Sequence, residues 1–404
     1  MGEVDIAGRR RMVASVTLGT LLTPLNSSMV AVALARLQQD FSVGVGMVTW
    51  LVSGFYLASA VAQPVTGRLA DRLGPRRVFV SGLLLVVAVC LVAPLAPGFG
   101  WLIAVRVLQA CGGAVAFPAG LSMIRATAPG GRAPAATLGA INVANSAGAA
   151  VGPTVAGFLV ALAGWQSIFL VNVPVAVLAI GTGLRWMPPD PAARDRPVHR
   201  PAGDVRALVT NPRLAGIYLQ FAGVNLVFYS IYLALPLWLQ QARGLPTYEA
   251  GLLLLPVAGL GVLVAPPSAW WVARSGYRGV LVAGALALLA GSALLLALGH
   301  ATPVWAIAAA GMVFGAPGTM NTLGLQSALY ESAPQEAIGA AGGLFQTCRY
   351  IGAMLSGMVI GLVFGRGTTT AALHALAGLL IAVSVCLLAA ALLRGPGARG
   401  RSGG

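Results

Sequence analysis

Long apolar stretches, separated by short polar segments rich in glycine and proline, recur from one end of the chain to the other. A helix needs about 20 such residues to cross about 30 Å of hydrocarbon, and twelve stretches reach that length. In lipid, an α-helix satisfies its own backbone polar groups. The pattern therefore predicts an all-α integral membrane protein with twelve transmembrane helices, at roughly 12–34, 46–67, 78–96, 101–124, 135–160, 166–186, 214–239, 248–273, 280–299, 303–326, 339–364 and 371–393.

Composition and charge agree with this class and give it an orientation. The chain is 58% hydrophobic and only 9% charged, whereas roughly 25% of residues are charged in soluble domains. All 25 of its Lys and Arg residues are arginine. With the N-terminus inside, only Arg36, Arg243 and Arg366 fall outside, which predicts cytoplasmic termini and an even number of spans. The net charge of +15 then reflects topology and contact with anionic lipids, and nucleic acid is not an expected partner.

The chain is predicted to be a duplication of a six-helix unit. The segment "WMPPDPAARDRPVHRPAGDVRALVTNPR" interrupts the apolar pattern between spans six and seven and is predicted to be a cytoplasmic linker. The halves are then 1–186 and 214–404, joined by the linker 187–213. Residues 64–78 align with 266–280, and "NSAGAAVGPTVAGFL" aligns with "RYIGAMLSGMVIGLV" at a similar offset. Parallel repeats of this kind build one large class of transporters.

The short connection between spans two and three carries the most specific motif. "GRLADRLGPRR" resembles the signature loop of the major facilitator superfamily, and its glycines permit a tight reversal. The matching residues, which we assign to gating, are Gly67, Asp71, Arg72, Gly74 and Arg76. The resemblance implies that Asp71 clamps the two halves on the cytoplasmic side, near the start of span eleven. The alternative is a salt bridge within the loop, from Asp71 to Arg72 or Arg76.

Span five carries a second motif, "GAINVANSAGAAVGPTVAGFL". Gly148 and Gly152 give a smooth face for close helix approach, and Pro153 removes a backbone donor. Ordinary small-residue packing explains this face equally well. The Gly-Pro pair with this glycine spacing nevertheless resembles the antiporter motif of exporters in the family. "GWQSIFLVNVP" and "LPLWLQQARGLPTYEAGLLLLP" resemble the drug:proton antiporter subgroup usually predicted with fourteen spans, whereas twelve are predicted for this chain.

Polar residues inside the spans are the candidates for a substrate cavity, because each costs free energy unless it faces a cavity or a partner. Arg106 and Arg349 are the charges deep in the predicted helices. Neighbouring carbonyl or amide groups could satisfy both, whereas Arg106 also resembles the family's span-four arginine implicated in proton coupling. The resemblance implies that spans one, four, seven and eleven surround the substrate path. The resulting cavity candidates, on these spans and on span five, are Asn26, Ser28, Arg106, Gln109, Asn142, Asn145, Asn225, Tyr229, Gln346 and Arg349.

The ten carboxylates fall at or beyond the ends of the spans, which leaves the coupling of transport open. In the resembling subgroup span one carries an acid where this chain has Asn26, and an amide cannot exchange protons in the physiological range. The remaining candidates for proton coupling are His374, the acids near the mouths, Asp40 and Glu249, and indirect coupling through Asp71. Two buried arginines without a mid-membrane acid favour neutral, amphipathic or anionic substrates.

We therefore expect a secondary active transporter of the cytoplasmic (inner) membrane. It would act as a monomer and export amphipathic drugs or metabolites by alternating access with proton exchange. The alternative with the same fold is an uncoupled facilitator or a transporter of lipid-like substrates. A membrane-embedded enzyme is the third class, but the chain has no metalloprotease motif or paired carboxylates, and no catalytic, metal or cofactor site is predicted. Cys90, Cys111, Cys348 and Cys386 lie in apolar spans and are predicted to be packing residues.

Overall fold

The structure, a computed structural model, describes residues 6–127, 135–190, 205–334 and 338–393. Every regular element in these ranges is helical. Twelve of the described α-helices have 15 or more residues. They are α1 Ile6–Asp40, α2 Trp50–Leu73, α3 Pro75–Val92, α4 Phe99–Gly113, α5 Ala135–Ala163, α6 Asn172–Trp186, α7 Pro212–Gln241, α8 Leu255–Ser275, α9 Tyr277–Leu294, α10 Val304–Ser332, α11 Ile338–Phe364 and α12 Thr370–Leu393. Short helices at Val45–Val48, Ala116–Thr127, Ser167–Leu170, Val205–Thr210 and Thr247–Leu253 lie between them.

Ten helical segments in the described part of the chain are long and apolar enough to cross a membrane. They coincide with ten of the predicted spans. The other two predicted spans, 135–160 and 303–326, form α5 and α10 but are not among the ten. The apolar part of α5 is the shorter stretch Ala147–Ala163, and α10 carries polar residues such as Asn321 in its middle. That α5 and α10 also cross, and that both termini are cytoplasmic, remain predictions.

The chain divides into two compact units. Unit 1 comprises Met1–Ala33 and Gly54–Arg200, and unit 2 comprises Leu34–Ser53 and Pro201–Gly404. In unit 1, α3 packs against α4 and α6. In unit 2, α7 packs against α11, and α10 packs against α8 and α9. The predicted halves 1–186 and 214–404 stay a prediction, and the linker between them lies mostly outside the described residues.

The segment Leu34–Ser53 belongs to unit 2 because it is bonded to helices of that unit. Ser53 Oγ donates to the Met354 carbonyl oxygen over 3.1 Å, and Gln241 Nε2 donates to Gln38 Oε1 over 2.7 Å. Gly361 faces the backbone of this segment at close range. These contacts attach the end of α1 and the start of α2 to α7 and α11.

The glycines of the span-five motif seat α5 against α1 within unit 1. A methyl group at Gly148 would overlap the Leu21 side chain, and one at Gly152 would overlap Ser28 Oγ. Ser28 Oγ itself donates to the Leu25 carbonyl oxygen over 2.8 Å, so it is held within its own helix. The helix continues through Pro153. The smooth face predicted from the sequence is therefore a site of close approach between α1 and α5.

Substituting Gly152 with Ala should destabilise unit 1. The added methyl must displace Ser28 or the backbone near Leu25, and overpacking of this kind costs about 1–3 kcal/mol. Thermal unfolding of purified protein in detergent measures the effect. Gly181→Ala on α6 is the matched control, because open space surrounds that glycine. Adding Ser28→Ala to Gly152→Ala should recover part of the loss, and equal stability of the Gly152 and Gly181 variants would contradict the close approach.

Candidate functional site

Arg106 lies at the centre of a buried polar cluster in unit 1. Its side chain, on α4, is 1% exposed. Arg106 Nη1 donates to Asn26 Oδ1 on α1 over 2.9 Å and to Gln109 Oε1, one turn further along α4, over 2.7 Å. Asn26 and Gln109 are also buried. Three residues that the sequence placed on two separate spans are thus brought together by one guanidinium group.

Other neighbours of the cluster explain how a buried cation is tolerated there. Gln109 Nε2 donates to the buried Cys90 Sγ on α3 over 3.1 Å, which orients the amide so that its oxygen faces Arg106. The Arg106 guanidinium carbon lies 4.1 Å from the centroid of the Phe55 ring. A cation over an aromatic face is stabilised by about 0.5–2 kcal/mol, more when it is desolvated. Tyr56 packs edge-on against Phe55 with ring centroids 5.7 Å apart.

Asn26 therefore lies where its side-chain oxygen accepts a hydrogen bond directly from Arg106. Of the two alternatives for Arg106, the contacts match satisfaction by amide groups, one from a neighbouring helix and one from its own. An amide oxygen accepts this hydrogen bond as a carboxylate would, but it has no proton to exchange. Asn26 thus accepts the hydrogen bond that an acid at this position would accept from Arg106, but it has no group that titrates.

The remaining cavity candidates of unit 1 have separate contacts. Asn145 Oδ1, on α5, accepts a hydrogen bond from Thr20 Oγ1 on α1 over 3.2 Å. Ser28 is held by the backbone of its own helix and faces Gly152. The side chain of Asn142 lies outside the described residues.

In unit 2 the half-buried Arg349 lies beside aromatic side chains. Arg349 Nη2, on α11, donates to the Tyr229 hydroxyl oxygen on α7 over 3.1 Å. Phe228 lies between two tyrosines, edge-on to Tyr229 at 5.5 Å and stacked on Tyr232 at 5.9 Å between ring centroids. Arg349, Tyr229 and Phe228 are each partly exposed. A charged group and aromatic surface are therefore available together in this unit.

The two other cavity candidates of unit 2 are Asn225 and Gln346. Asn225 Nδ2 donates to the Phe221 carbonyl oxygen one turn earlier in α7, over 2.8 Å, so its amide is committed at least partly to its own helix. Gln346 is half-buried on α11, one turn before Tyr350. The structure brings Tyr229 and Arg349 into contact, and Gln346 lies on the same helix as Arg349.

The motif loop between α2 and α3 is anchored by a residue that sequence reasoning assigned only to the linker. The Asp190 carboxylate accepts hydrogen bonds from the backbone N–H of Arg76 over 2.8 Å and of Arg77 over 3.0 Å. These are the second and third residues of α3, whose free N–H groups attract an anion. Gly74 precedes the helix at φ +101°, and a Cβ there would overlap Asp190. The motif glycine is thus required both by its backbone conformation and by the approach of Asp190.

The other motif residues surround this anchor. Arg76 also donates from its guanidinium group to the Leu184 carbonyl oxygen at the end of α6. Arg72 is exposed and Gly67 is half-buried. The side chain of Asp71 lies outside the described residues, so its predicted clamp remains a prediction. An acid directly after the apolar run of span six was the available signal for Asp190, but its partners are 114 and 113 residues away in the sequence.

The alternative proton carriers named from the sequence have ordinary contacts. His374 Nε2 donates to the Leu298 carbonyl oxygen over 2.9 Å, which ties α12 to the end of α9. Asp40 pairs with Arg36 one turn away at 3.0 Å. Glu249 Oε1 accepts from the Tyr248 hydroxyl over 3.1 Å. Each of these three residues thus has a polar partner.

The apolar helices, the buried Arg106 and the glycine-arginine loop are the features that point to a class of membrane transporters. Residues 16–357 match the Major Facilitator Superfamily, and the chain belongs to this family of multi-pass membrane transporters. It is 33% identical to the uncharacterised MFS-type transporter YwoD of Bacillus subtilis, over 90% of this chain and 92% of that protein. It is 28% identical to the tetracenomycin C resistance and export protein of Streptomyces glaucescens, over 86% of this chain and 74% of that protein.

A solved structure shows the same fold. The crystal structure of the nucleoside transporter NupG matches with a TM-score of 0.74 over 96% of this chain and all of that chain, at 15% sequence identity. At that identity the likeness concerns the fold alone.

Removing the Asp190 carboxylate should destabilise the α2–α3 connection. Asp190→Ala leaves the first N–H groups of α3 without their acceptor, a loss of about 1–2 kcal/mol, and Asp190→Asn should lose less because one oxygen remains. Thermal unfolding and vesicle transport are the measurements. Asp40→Asn is the control, since an exposed pair one turn apart contributes little. An Asp190→Ala variant as stable and active as the Asp40 variant would refute the anchoring role.

Proposed function

We propose that the chain exports amphipathic drugs or metabolites across the cytoplasmic membrane by alternating access. Three observations support this. The chain belongs to a transporter family, its span-five glycines seat α5 on α1 in the pattern of the exporter motif, and one relative is named for tetracenomycin C resistance and export. The observation that carries the proposal furthest is the polar cluster around Arg106 inside an otherwise apolar unit, because ionisable residues within membrane-spanning helices are rare and mark substrate and ion pathways.

Two modes of coupling are compatible with this function. Proton exchange is the expectation from the resemblance to drug:proton antiporters. An uncoupled facilitator is the second candidate, favoured by a specific observation: the acceptor paired with Arg106 on α1 is the amide of Asn26. Proton coupling requires a group that binds and releases protons between the two access states. The two modes are separated by adding a protonophore to sealed vesicles that carry the purified protein, because only the first requires a proton gradient.

Substituting Arg106 with Ala should abolish transport while leaving membrane insertion intact. The change removes the donor shared by Asn26 and Gln109 and leaves two buried oxygens unsatisfied, at about 1–3 kcal/mol each. Transport is measured as efflux from vesicles of three pyrene probes that differ in charge, a sulfonate, an alcohol and a trimethylammonium. Arg36→Ala is the control, because Arg36 forms only an exposed pair with Asp40. Efflux by Arg106→Ala at the rate of the control would remove Arg106 from the mechanism.

Restoring an acid at position 26 should create a pH-dependent transporter. The Asn26→Asp carboxylate would stand at the 2.9 Å position from Arg106 Nη1 and form an ion pair whose protonation changes with access to water. We expect the transport rate of this variant to vary with pH more steeply than that of the wild type. Asn26→Leu removes the hydrogen bond without adding an acid, so it separates the two effects. The same pH profile in the wild type and in Asn26→Asp would show that proton coupling does not depend on this position.

A further inference from the structure

The end of α8 carries an exposed surface that combines apolar residues with an arginine. Leu263, Pro267, Trp270 and Arg274 follow one another at spacings of four, three and four residues, so they lie on one face of the helix. All four are exposed, Leu263 by 71% and Trp270 by 64%. The Arg274 guanidinium carbon lies 5.6 Å from the centroid of the Trp270 ring. An apolar track along a membrane-length helix therefore ends at a tryptophan and a cation.

The turn after α8 brings a second arginine to the same end of unit 2. Gly276, at φ +78°, permits the reversal of the chain into α9. Arg278 Nη2, in the first turn of α9, donates to the Leu392 carbonyl oxygen at the end of α12 over 2.8 Å. This bond uses one of the five N–H donors of a guanidinium group. Arg274 and Arg278 thus lie on either side of the turn and place two positive charges at this end of unit 2.

The equivalent connection in unit 1 shows what the start of such a helix binds. The aligned repeats pair Gly74 with Gly276 and Arg76 with Arg278. Both arginines donate to a carbonyl oxygen in the last turn of a helix that packs beside their own, α6 in unit 1 and α12 in unit 2. In unit 1 the Asp190 carboxylate accepts hydrogen bonds from the first N–H groups of α3. The start of this helix in unit 1 therefore holds an anionic group.

The equivalent position in unit 2 is open. A Cβ at Gly74 would overlap Asp190, whereas no described heavy atom lies within 4 Å of a Cβ at Gly276. Residues 394–404, which follow α12 as Asp190 follows α6, contain arginines and no acid. The N–H groups at a helix start favour an anion, as do arginines. An anionic group from outside the chain therefore has room at the place that the Asp190 carboxylate takes in unit 1.

We propose that the surface formed by Trp270, Arg274 and Arg278 binds an anionic phospholipid. Its phosphate contacts the two guanidinium groups at the start of α9, and an acyl chain lies along Leu263 and Pro267. A soluble phosphate ion would match the arginines but would leave the apolar track uncovered, whereas a lipid fits both parts. Tryptophan is enriched where spans meet the lipid headgroups, and basic pockets on the cytoplasmic side of membrane helices bind anionic headgroups. The predicted topology puts this end of α8 in the cytoplasmic leaflet.

Titration of the purified protein in a neutral detergent tests the proposal. The probes are dioleoyl phosphatidylglycerol, dioleoyl phosphatidylcholine, which has the same chains and no net charge, and glycerol 3-phosphate, which has no chains. Native mass spectrometry gives the dissociation constant of the first bound lipid, and thermal unfolding measures the stabilisation. We expect phosphatidylglycerol to bind at least about 10-fold more tightly than phosphatidylcholine, because each arginine contributes about 5-fold. Glycerol 3-phosphate at the same concentration should not stabilise the protein.

Variants of Arg274 connect this preference to the structure. Arg274→Gln should weaken the binding of phosphatidylglycerol about 5-fold, whereas Arg274→Lys keeps the charge and should stay within about 2-fold of the wild type. Because Arg274 is exposed, both variants should unfold at the wild-type temperature when no lipid is added. Arg366→Gln is the matched control, since Arg366 is another exposed arginine of unit 2, at the end predicted to lie outside.

Three results would overturn the proposal. The first is equal affinity for the two lipids, and the second is an equal loss of affinity in Arg274→Gln and Arg366→Gln. The third is stabilisation by glycerol 3-phosphate as large as that by phosphatidylglycerol, which would indicate a soluble anion as the ligand. None of these measurements depends on transport, so the result for the lipid and the result for the export function are obtained separately.

Discussion

The buried guanidinium group of Arg106 is the constraint around which unit 1 is organised. A cation removed from water must be solvated by protein, and the groups that do so come from different helices: Asn26 from α1, Gln109 from α4 and the ring of Phe55 from α2. Cys90 on α3 receives the other end of the Gln109 amide. Because each group has a fixed position only when its helix is in register, the cluster ties the register of four helices to one charge.

The motif loop between α2 and α3 also depends on a long-range interaction, in which a carboxylate and not a guanidinium group is the charged partner. The first turn of α3 presents free N–H groups, and the carboxylate of Asp190 reaches them from the chain beyond α6. Gly74 permits both the reversal of the chain and the approach of this carboxylate. The arginines of the motif therefore stand beside an anchor built from backbone groups, and the loop geometry is held even where their side chains are exposed.

The sequence predicts features that depend on one local rule, such as the spans. It does not predict contacts between side chains that lie far apart along the chain. Spans are predictable because lipid leaves the backbone only helical hydrogen bonding, and ten of the predicted spans are confirmed as apolar helices. The stretches 135–160 and 303–326 are harder because glycines and polar residues dilute their apolar character. The importance of Asn26 came from a motif resemblance, but its pairing with Gln109 through Arg106 is a property of packing. Asp190 was missed because its partners lie more than 100 residues away.

An acid paired with an arginine does two things: it accepts a hydrogen bond, and it can bind and release a proton. Position 26 keeps the first and lacks the second. One is structural, since an oxygen must accept the hydrogen bond of a buried guanidinium group, and an amide oxygen does this at 2.9 Å. The other is titration, which an amide cannot provide. A chain that keeps the first property and loses the second retains the packing of α1 against α4 but changes the net charge of its interior. That change reaches beyond the hydrogen bond itself, because a charge acts over longer distances than a hydrogen bond does. The identity of one acceptor atom thus links the packing of α1 against α4 to the question of whether position 26 can take part in proton exchange.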